Sequence, residues 1–254
     1  MVYGGRSGRS PRLYPAGERY IAGEAIGILI IDCLLPLPPG DVANATTYPF
    51  PVRYRVVKAA SSNRLIYERD PSLLPLFIEA GWELIHEGVK ALTGDCGYLA
   101  LFQKELADEF PVPVFMSSLL QIPFIHRTLR GGEKVGIICA DKSNLTEQLL
   151  RNVGVDENIP VQIAGMEDVP GFYDPIVRQK GILDFEKVEA EVVRKAKELV
   201  ANDDKVKVIL LECSDLPPYA AAIQEAVNLP VFDFNTMINY IFSSLVRYRY
   251  DGFV

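Results

Sequence analysis

"GEAIGILIID", residues 23–32, decides the fold because the chain carries it twice. "GEKVGIICAD", residues 132–141, repeats it with five of ten positions identical: Gly23/Gly132, Glu24/Glu133, Gly27/Gly136, Ile28/Ile137 and Asp32/Asp141. The offset is 109 residues. A second pair, "GDCGYLALFQKELADEFPVPVF" (94–115) and "LECSDLPPYAAAIQEAVNLPVF" (211–232), aligns without a gap at an offset of 117. Cys96 falls on Cys213, Asp95 on Glu212, and the Pro-Val-Phe at 113–115 on that at 230–232. Loops absorb a difference of eight residues between the two offsets.

Outward from these repeats, apolar runs at 26–31, 90–94, 113–116, 134–140, 160–164 and 206–211 read as strands. Between them lie helical stretches near 71–88, 97–109, 143–153, 184–202 and 217–227. Strands that are nearly continuous in apolar residues and alternate with helices build parallel sheets covered on both faces. The predicted fold class is α/β: two pseudo-symmetric lobes, each a parallel sheet flanked by helices, with an active-site cleft between them. The expected division is an N-terminal arm at 1–22, a first lobe at 23–118 and a second at 119–232. Ligands of such sheets bind at the carboxyl ends of the strands. There each lobe places an acid followed by a cysteine.

The chain has 254 residues, with 26 Lys+Arg against 33 Asp+Glu, a net charge of −7. That balance argues against nucleic acid and anionic membrane surfaces as partners. The longest apolar run, "AIGILIIDCLLPL" (25–37), is broken by Asp32 and by prolines, so no membrane span is expected. The first twenty residues hold no apolar secretory core. Four cysteines without a C-x-x-C pair, and only two histidines, read as reduced thiols in a cytoplasmic protein with no metal site.

Two thiols facing each other across a cleft suit a reaction that needs a base on one face of a carbon and an acid on the other. A free thiol titrates near 8.5, so a modest shift makes it a base near neutrality. Amides at the helix starts after Cys96 and Cys213 would bind a carboxylate and the developing enolate. Each acid before a cysteine has two readings: raising the thiol's pKa, or turning away by strand alternation to cap a helix, which the alternation favours. Cys139, inside "VGIICA", reads as a buried strand residue, whereas Cys33 stands equally well as cleft lining or as packing. Asp32 and Asp141 would bind a substrate amine or order the loops after them. His86 and His126 fall in helical stretches and read as packing. Arg53, Arg55 and Lys142 read as solvated charges more readily than as partners of a substrate carboxylate.

"LTGDCGYL" (92–99), "LLECSDL" (210–216) and "VGIICADKSNLTEQLL" (135–150) resemble the aspartate/glutamate/hydantoin racemase superfamily over roughly residues 23–250. The resemblance implies a cofactor-independent racemase of amino acids or related small carboxylates, with Cys96 and Cys213 as the acid/base pair and neither pyridoxal phosphate nor metal. By position it implies substrate contacts at Gly97, Tyr98, Ser117, Ser118, Ser143, Asn144 and Ser214. Asp32 is a further candidate. Residues 36–52, "PLPPGDVANATTYPFPV", resemble the loop with which relatives cover the site, offering Asn44, Thr46 and Thr47. A C-terminal helix within 233–254 would return to the first lobe, and a dimer or higher homo-oligomer is expected.

The chain departs from the amino-acid racemases at Gly97-Tyr98 and Ser214-Asp215, where those enzymes often carry Asn-Thr and Thr-His or Thr-Glu. The superfamily also includes an arylmalonate decarboxylase and a maleate isomerase. A cysteine-dependent decarboxylase or cis-trans isomerase of small dicarboxylates is therefore the alternative within the fold. A non-catalytic two-lobed binding protein is the alternative outside catalysis.

Overall fold

The computed structural model describes residues 21–250 and 252, so the arm expected over 1–22 falls almost wholly outside the described residues. Two four-stranded parallel sheets form the frame. In the first, β1 (Ile26–Ile31), β2 (Val52–Val57), β3 (Ala91–Gly94) and β4 (Val114–Phe115) take the order β2-β1-β3-β4. In the second, β5 (Lys134–Cys139), β6 (Val161–Gly165), β7 (Val206–Leu211) and β8 (Val231–Phe232) take the order β6-β5-β7-β8. The two orders are the same, as the repeats require. Every pairing is parallel, and in-register partners run from Ile26↔Val52 in one sheet to Val135↔Val161 in the other.

The duplicated glycines have a packing cause. A Cβ at Gly27 would lie 2.9 Å from Leu92 Cδ2 and 3.0 Å from Leu84 Cδ1. At Gly136 it would lie 2.8 Å from Val206 Cγ1 and 3.0 Å from Leu199 Cδ2. In each lobe a helix closes on the first strand at this point: α1 (Leu74–Glu87) brings Leu84, and the later Phe185–Asn202 helix brings Leu199.

The helices after the strands are shorter than the sequence suggests, because their first turns tighten into 3₁₀ geometry. The 97–109 stretch becomes a 3₁₀ turn, Gly97–Phe102, followed by α2 (Gln103–Glu109). After α3 (Ile122–His126), the 143–153 stretch divides into a turn at Lys142–Asn144 and α4 (Glu147–Asn152). Leu145 leaves helical backbone between the two, and Thr146 recaps the chain through Leu149 N. α5 (Pro170–Ile176), which the sequence pattern does not announce, precedes α6 (Phe185–Asn202). The 217–227 stretch is a turn at Pro217–Tyr219 and α7 (Ala220–Val227).

α8 (Phe234–Leu245) lies against the first sheet, where Phe234, Met237, Ile238 and Ile241 pack on Ile26, Ile28 and Ala91. Burying four such side chains stabilises by roughly 6–12 kcal/mol before entropy is counted. A capping box between Asp233 and Thr236 fixes where the helix begins. No helix of the described residues is long and apolar enough to cross a membrane.

Candidate active site

Cys96 follows β3 and Cys213 follows β7, at the carboxyl ends of equivalent strands. They are 8% and 7% exposed and line one cavity of about 40 Å³ between the lobes. The backbone around them is matched. The Tyr98 N–H approaches the Cys96 sulfur, and the Asp215 N–H approaches the Cys213 sulfur. Asp95 Oδ1 accepts from Ile31 N at 3.0 Å, and Glu212 Oε2 accepts from Ala140 N at 3.4 Å. Ile31 and Ala140 are themselves equivalent positions of the repeat. Neither acid caps a helix; both line the cavity, which corrects the outward orientation favoured by strand alternation. The strand ends at Gly94 and Leu211, and with the pleat broken the next residues no longer alternate.

At Gly97 the seam between the lobes leaves no room for a side chain. A Cβ there would stand 2.0 Å from Glu212 Oε1 and 2.4 Å from the Glu212 carbonyl oxygen. Hydrogen bonds clamp the same seam. The Tyr98 hydroxyl donates to Asp141 O at 2.7 Å and accepts from Asp141 N at 2.9 Å. Ser118 Oγ donates to Leu211 O at 2.9 Å, and Ser214 Oγ donates to the Asp95 carbonyl. Tyr173 adds a further tie, donating to Asp141 Oδ2 at 2.7 Å while its hydroxyl meets Tyr67's at 2.6 Å.

The structure thus gathers Cys96, Gly97, Tyr98, Cys213 and Ser214 on the cavity wall. Other candidates serve the frame instead. Ser117 Oγ accepts from Leu119 N, and Ser118 ties the lobes behind the cavity. Ser143 is held by Asp141 Oδ1, and Asn144 accepts from Arg69. Asn44 accepts from Thr46 N at 2.9 Å, and Thr47 Oγ1 donates to Asp41 O, so all three shape the covering segment rather than its inner face. Asp32 turns away to Ala59 N and Lys58. Arg53 and Arg55 pair with Glu87 at 2.7 Å each. Cys139 is fully buried. Cys33 lines the cavity, its sulfur accepting from Ser62 N at 3.3 Å.

Two residues of the wall escaped sequence reasoning. Asp41 lies on the segment after β1, and Asp215 lies two residues beyond Cys213. For Asp215 a signal existed: it sits where the first lobe has Tyr98, the position at which the duplicated turns differ in charge. For Asp41 there was none, since "PPGDVAN" reads as an ordinary polar turn. Asp215 Oδ2 accepts from Cys213 Sγ at 3.5 Å. Val42 N reaches Ser214 O at 3.4 Å, and Asn235 donates to Gly40 O at 2.7 Å, which seats this segment over the cavity.

The wall therefore carries Asp41, Asp95, Glu212 and Asp215, and no Lys, Arg or His among the described residues. Burial pushes Asp95 and Glu212 up to about 8 each and raises Asp41 and Asp215, with neighbouring carboxylates adding to the rise in Asp95, Glu212 and Asp41. Burial likewise holds both thiols well above their ordinary range, and the adjacent acids push the same way. Among the described residues no group of three or more His, Cys, Asp or Glu is placed to hold a metal ion.

Comparison with solved structures places this fold in known company. Picrophilus torridus aspartate racemase matches with a TM-score of 0.57 at 14% identity, covering 87% of this chain and 94% of that one. Allantoin racemase from Pseudomonas fluorescens matches at 0.56 and 17%, covering 87% and 91%. Unliganded arylmalonate decarboxylase matches at 0.53 and 14%, covering 87% and 92%. No family model matches the chain. Curated relatives are nearer in sequence. Dimethylsulfoniopropionate lyase 3 of Emiliania huxleyi is 32% identical over 252 residues, covering 94% of this chain and 65% of that protein. Dimethylsulfoniopropionate lyase of Durusdinium sp. clade D is 32% identical over 229 residues, covering 86% and 74%. The chain thus spans about two thirds to three quarters of the length of these relatives.

These relatives overturn amino-acid racemisation as the expected function: at this identity over most of the chain, they are lyases. Bond cleavage, the chemistry of the decarboxylase alternative, stands nearer to the finding than racemisation does. The chain shares the two-lobed fold of these solved racemases and belongs to the dimethylsulfoniopropionate lyase family.

Proposed function

We propose that the protein is a lyase that cleaves dimethylsulfoniopropionate, or a close sulfonium carboxylate, by elimination. One observation on this chain carries the reading. Cys213 Sγ and Asp215 Oδ2 meet at 3.5 Å on the wall of a cavity whose described lining has acids but no cationic side chain. The substrate has a dimethylsulfonium group two carbons from a carboxylate. The Cys213 thiolate takes a proton from the carbon beside the carboxylate. The C–H electron pair becomes the second bond of the alkene, and the C–S pair leaves with sulfur as neutral dimethyl sulfide. Acrylate remains, and the proton passes from Cys213 to water.

A neutral leaving group needs no acid, so one base suffices where racemisation needs two. The lobes differ accordingly. Cys213 has a carboxylate two residues on as its hydrogen-bond acceptor; Cys96 has Tyr98, whose hydroxyl is committed to Asp141. Cys96 and the Gly97 amide, the first of its turn, are left to hydrogen-bond the substrate carboxylate as it gains enolate charge. Burial and acidic neighbours hold the Cys213 thiol protonated, and the substrate supplies the correction. A sulfonium about 4 Å from the sulfur favours the thiolate by about 4 kcal/mol at an effective dielectric of about 20.

The test is headspace gas chromatography of dimethyl sulfide with NMR of acrylate. Wild type releases both in equal amounts. Cys213→Ala loses at least about 10³-fold in kcat, within the range of general-base removal. Cys96→Ala loses less and mainly raises KM. Equal and complete loss in both variants would point back to a two-base reaction, and no dimethyl sulfide from wild type would refute the lyase reading.

A further inference from the structure

The two acids that sequence reasoning missed form a distinct corner of the cavity. Asp41 comes from the segment after β1 and Asp215 from the second lobe; they are 2% and 8% exposed. One oxygen of each is engaged: Asp41 Oδ1 accepts from Ala43 N at 2.7 Å, and Asp215 Oδ2 accepts from Cys213 Sγ. The others, Asp41 Oδ2 and Asp215 Oδ1, are buried and have no donor beyond the pair itself. Buried carboxylate oxygens do not stay unmatched without cause. Without a cation, one proton shared between the pair relieves the repulsion, Asp41 donating toward Asp215.

The cavity also has an apolar side. Leu35 and Leu37, from the Asp41 segment, and Ile176 and Val177, from the second lobe, line the cavity too. An ammonium with N–H donors, or a guanidinium, would leave its donors facing these alkyl groups. A cation whose charge is spread over methyl groups meets both requirements, since its polarised C–H bonds face the carboxylates while its carbon surface packs on leucine and valine. Resting on the lyase reading, we propose that Asp41 and Asp215 form the subsite for the sulfonium group, and that the subsite accepts methylated onium cations generally, quaternary ammonium as well as sulfonium.

Titration calorimetry with two carboxylates of matched length tests this. One is 3-(trimethylammonio)propionate; the other is 4-methylpentanoate, whose branched tail copies the dimethylsulfonium shape without its charge. Wild type binds the cation about 10-fold tighter or more, and Asp41→Asn and Asp215→Asn each shrink that preference to about 2-fold or less while leaving 4-methylpentanoate affinity unchanged. In Asp41→Asn the new side-chain amide oxygen still accepts from Ala43 N, so the segment stays seated; an unaltered thermal midpoint checks this. The wild-type comparison decides even where a variant misfolds. Equal affinity for the two compounds, binding of neither, or a preference that survives both substitutions would overturn the subsite. A protein that prefers the cation yet releases no dimethyl sulfide keeps the subsite and loses the lyase reading; release without preference does the reverse.

Discussion

Replacing Gly97 by alanine strikes the seam between the lobes where a side chain has no room. The added Cβ would stand 2.0 Å from Glu212 Oε1 and 2.4 Å from the Glu212 carbonyl oxygen. The side-chain oxygen can rotate aside, but the carbonyl belongs to the backbone that presents Cys213. An ordinary carbon–oxygen approach is about 3.3 Å, so the turn after Cys96 and the strand end before Cys213 must part by about 0.9 Å. Such overpacking costs about 1–3 kcal/mol. Parting also strains the neighbouring bonds from Tyr98 to Asp141 and from Ser118 to Leu211, each worth about 1 kcal/mol. The expected total is about 3 kcal/mol, a fall in melting temperature of roughly 6–12 °C for a chain of this size. Urea unfolding and thermal melts measure it, and kcat should fall because the two thiols move apart. Adding Glu212→Ala removes the carboxylate contact but leaves the carbonyl, so the double variant recovers only part of the loss. A Gly97→Ala protein within about 0.5 kcal/mol of wild type, with unaltered turnover, would refute this account of the seam.

Two other outcomes follow from the same groups. Tyr98→Phe removes the hydroxyl that both gives to and takes from the Asp141 backbone, leaving the buried Asp141 N–H unpaired while its carbonyl keeps Asn144 N at 3.3 Å; urea unfolding should show a loss of about 1–3 kcal/mol, and a loss under about 0.5 kcal/mol would mean water takes its place. Asp95 and Glu212 titrate near 8 when folded and near 4 when unfolded, so each binds its proton more tightly in the native state. Their stabilising effect is full below about pH 4 and is lost as the pH rises to about 8, so the urea midpoint should decline between about pH 5 and pH 8; a flat or rising midpoint contradicts it.

Much of the frame was legible because it is written twice. Gly27 and Gly136, Ile28 and Ile137, and the Pro-Val-Phe before β4 and β8 recur at fixed offsets, and the recurrence identifies equivalent strands even where each alone is short. β2 escaped, since "VRYRVV" places arginines at alternate positions of an edge strand and those arginines find partners on α1. The two cysteines were legible for the same reason as the strands. The charge of the cavity was not. It depends on which way Asp95 and Glu212 turn once the strand has ended, and on Asp41, which reaches the wall only because its segment lies across the second lobe. A pattern along the chain records neither.

α8 bears on how this chain is made. It follows the whole second lobe along the chain, yet the surface it covers belongs to the first lobe: Ile26, Ile28 and Ala91 meet Phe234, Met237, Ile238 and Ile241. During synthesis the part of that face which α8 covers waits for the helix while the whole second lobe is translated. At about 5–20 residues per second that is an interval of several seconds or more, in which an apolar sheet face is open to wrong partners. The half of the molecule that is synthesised first is completed last.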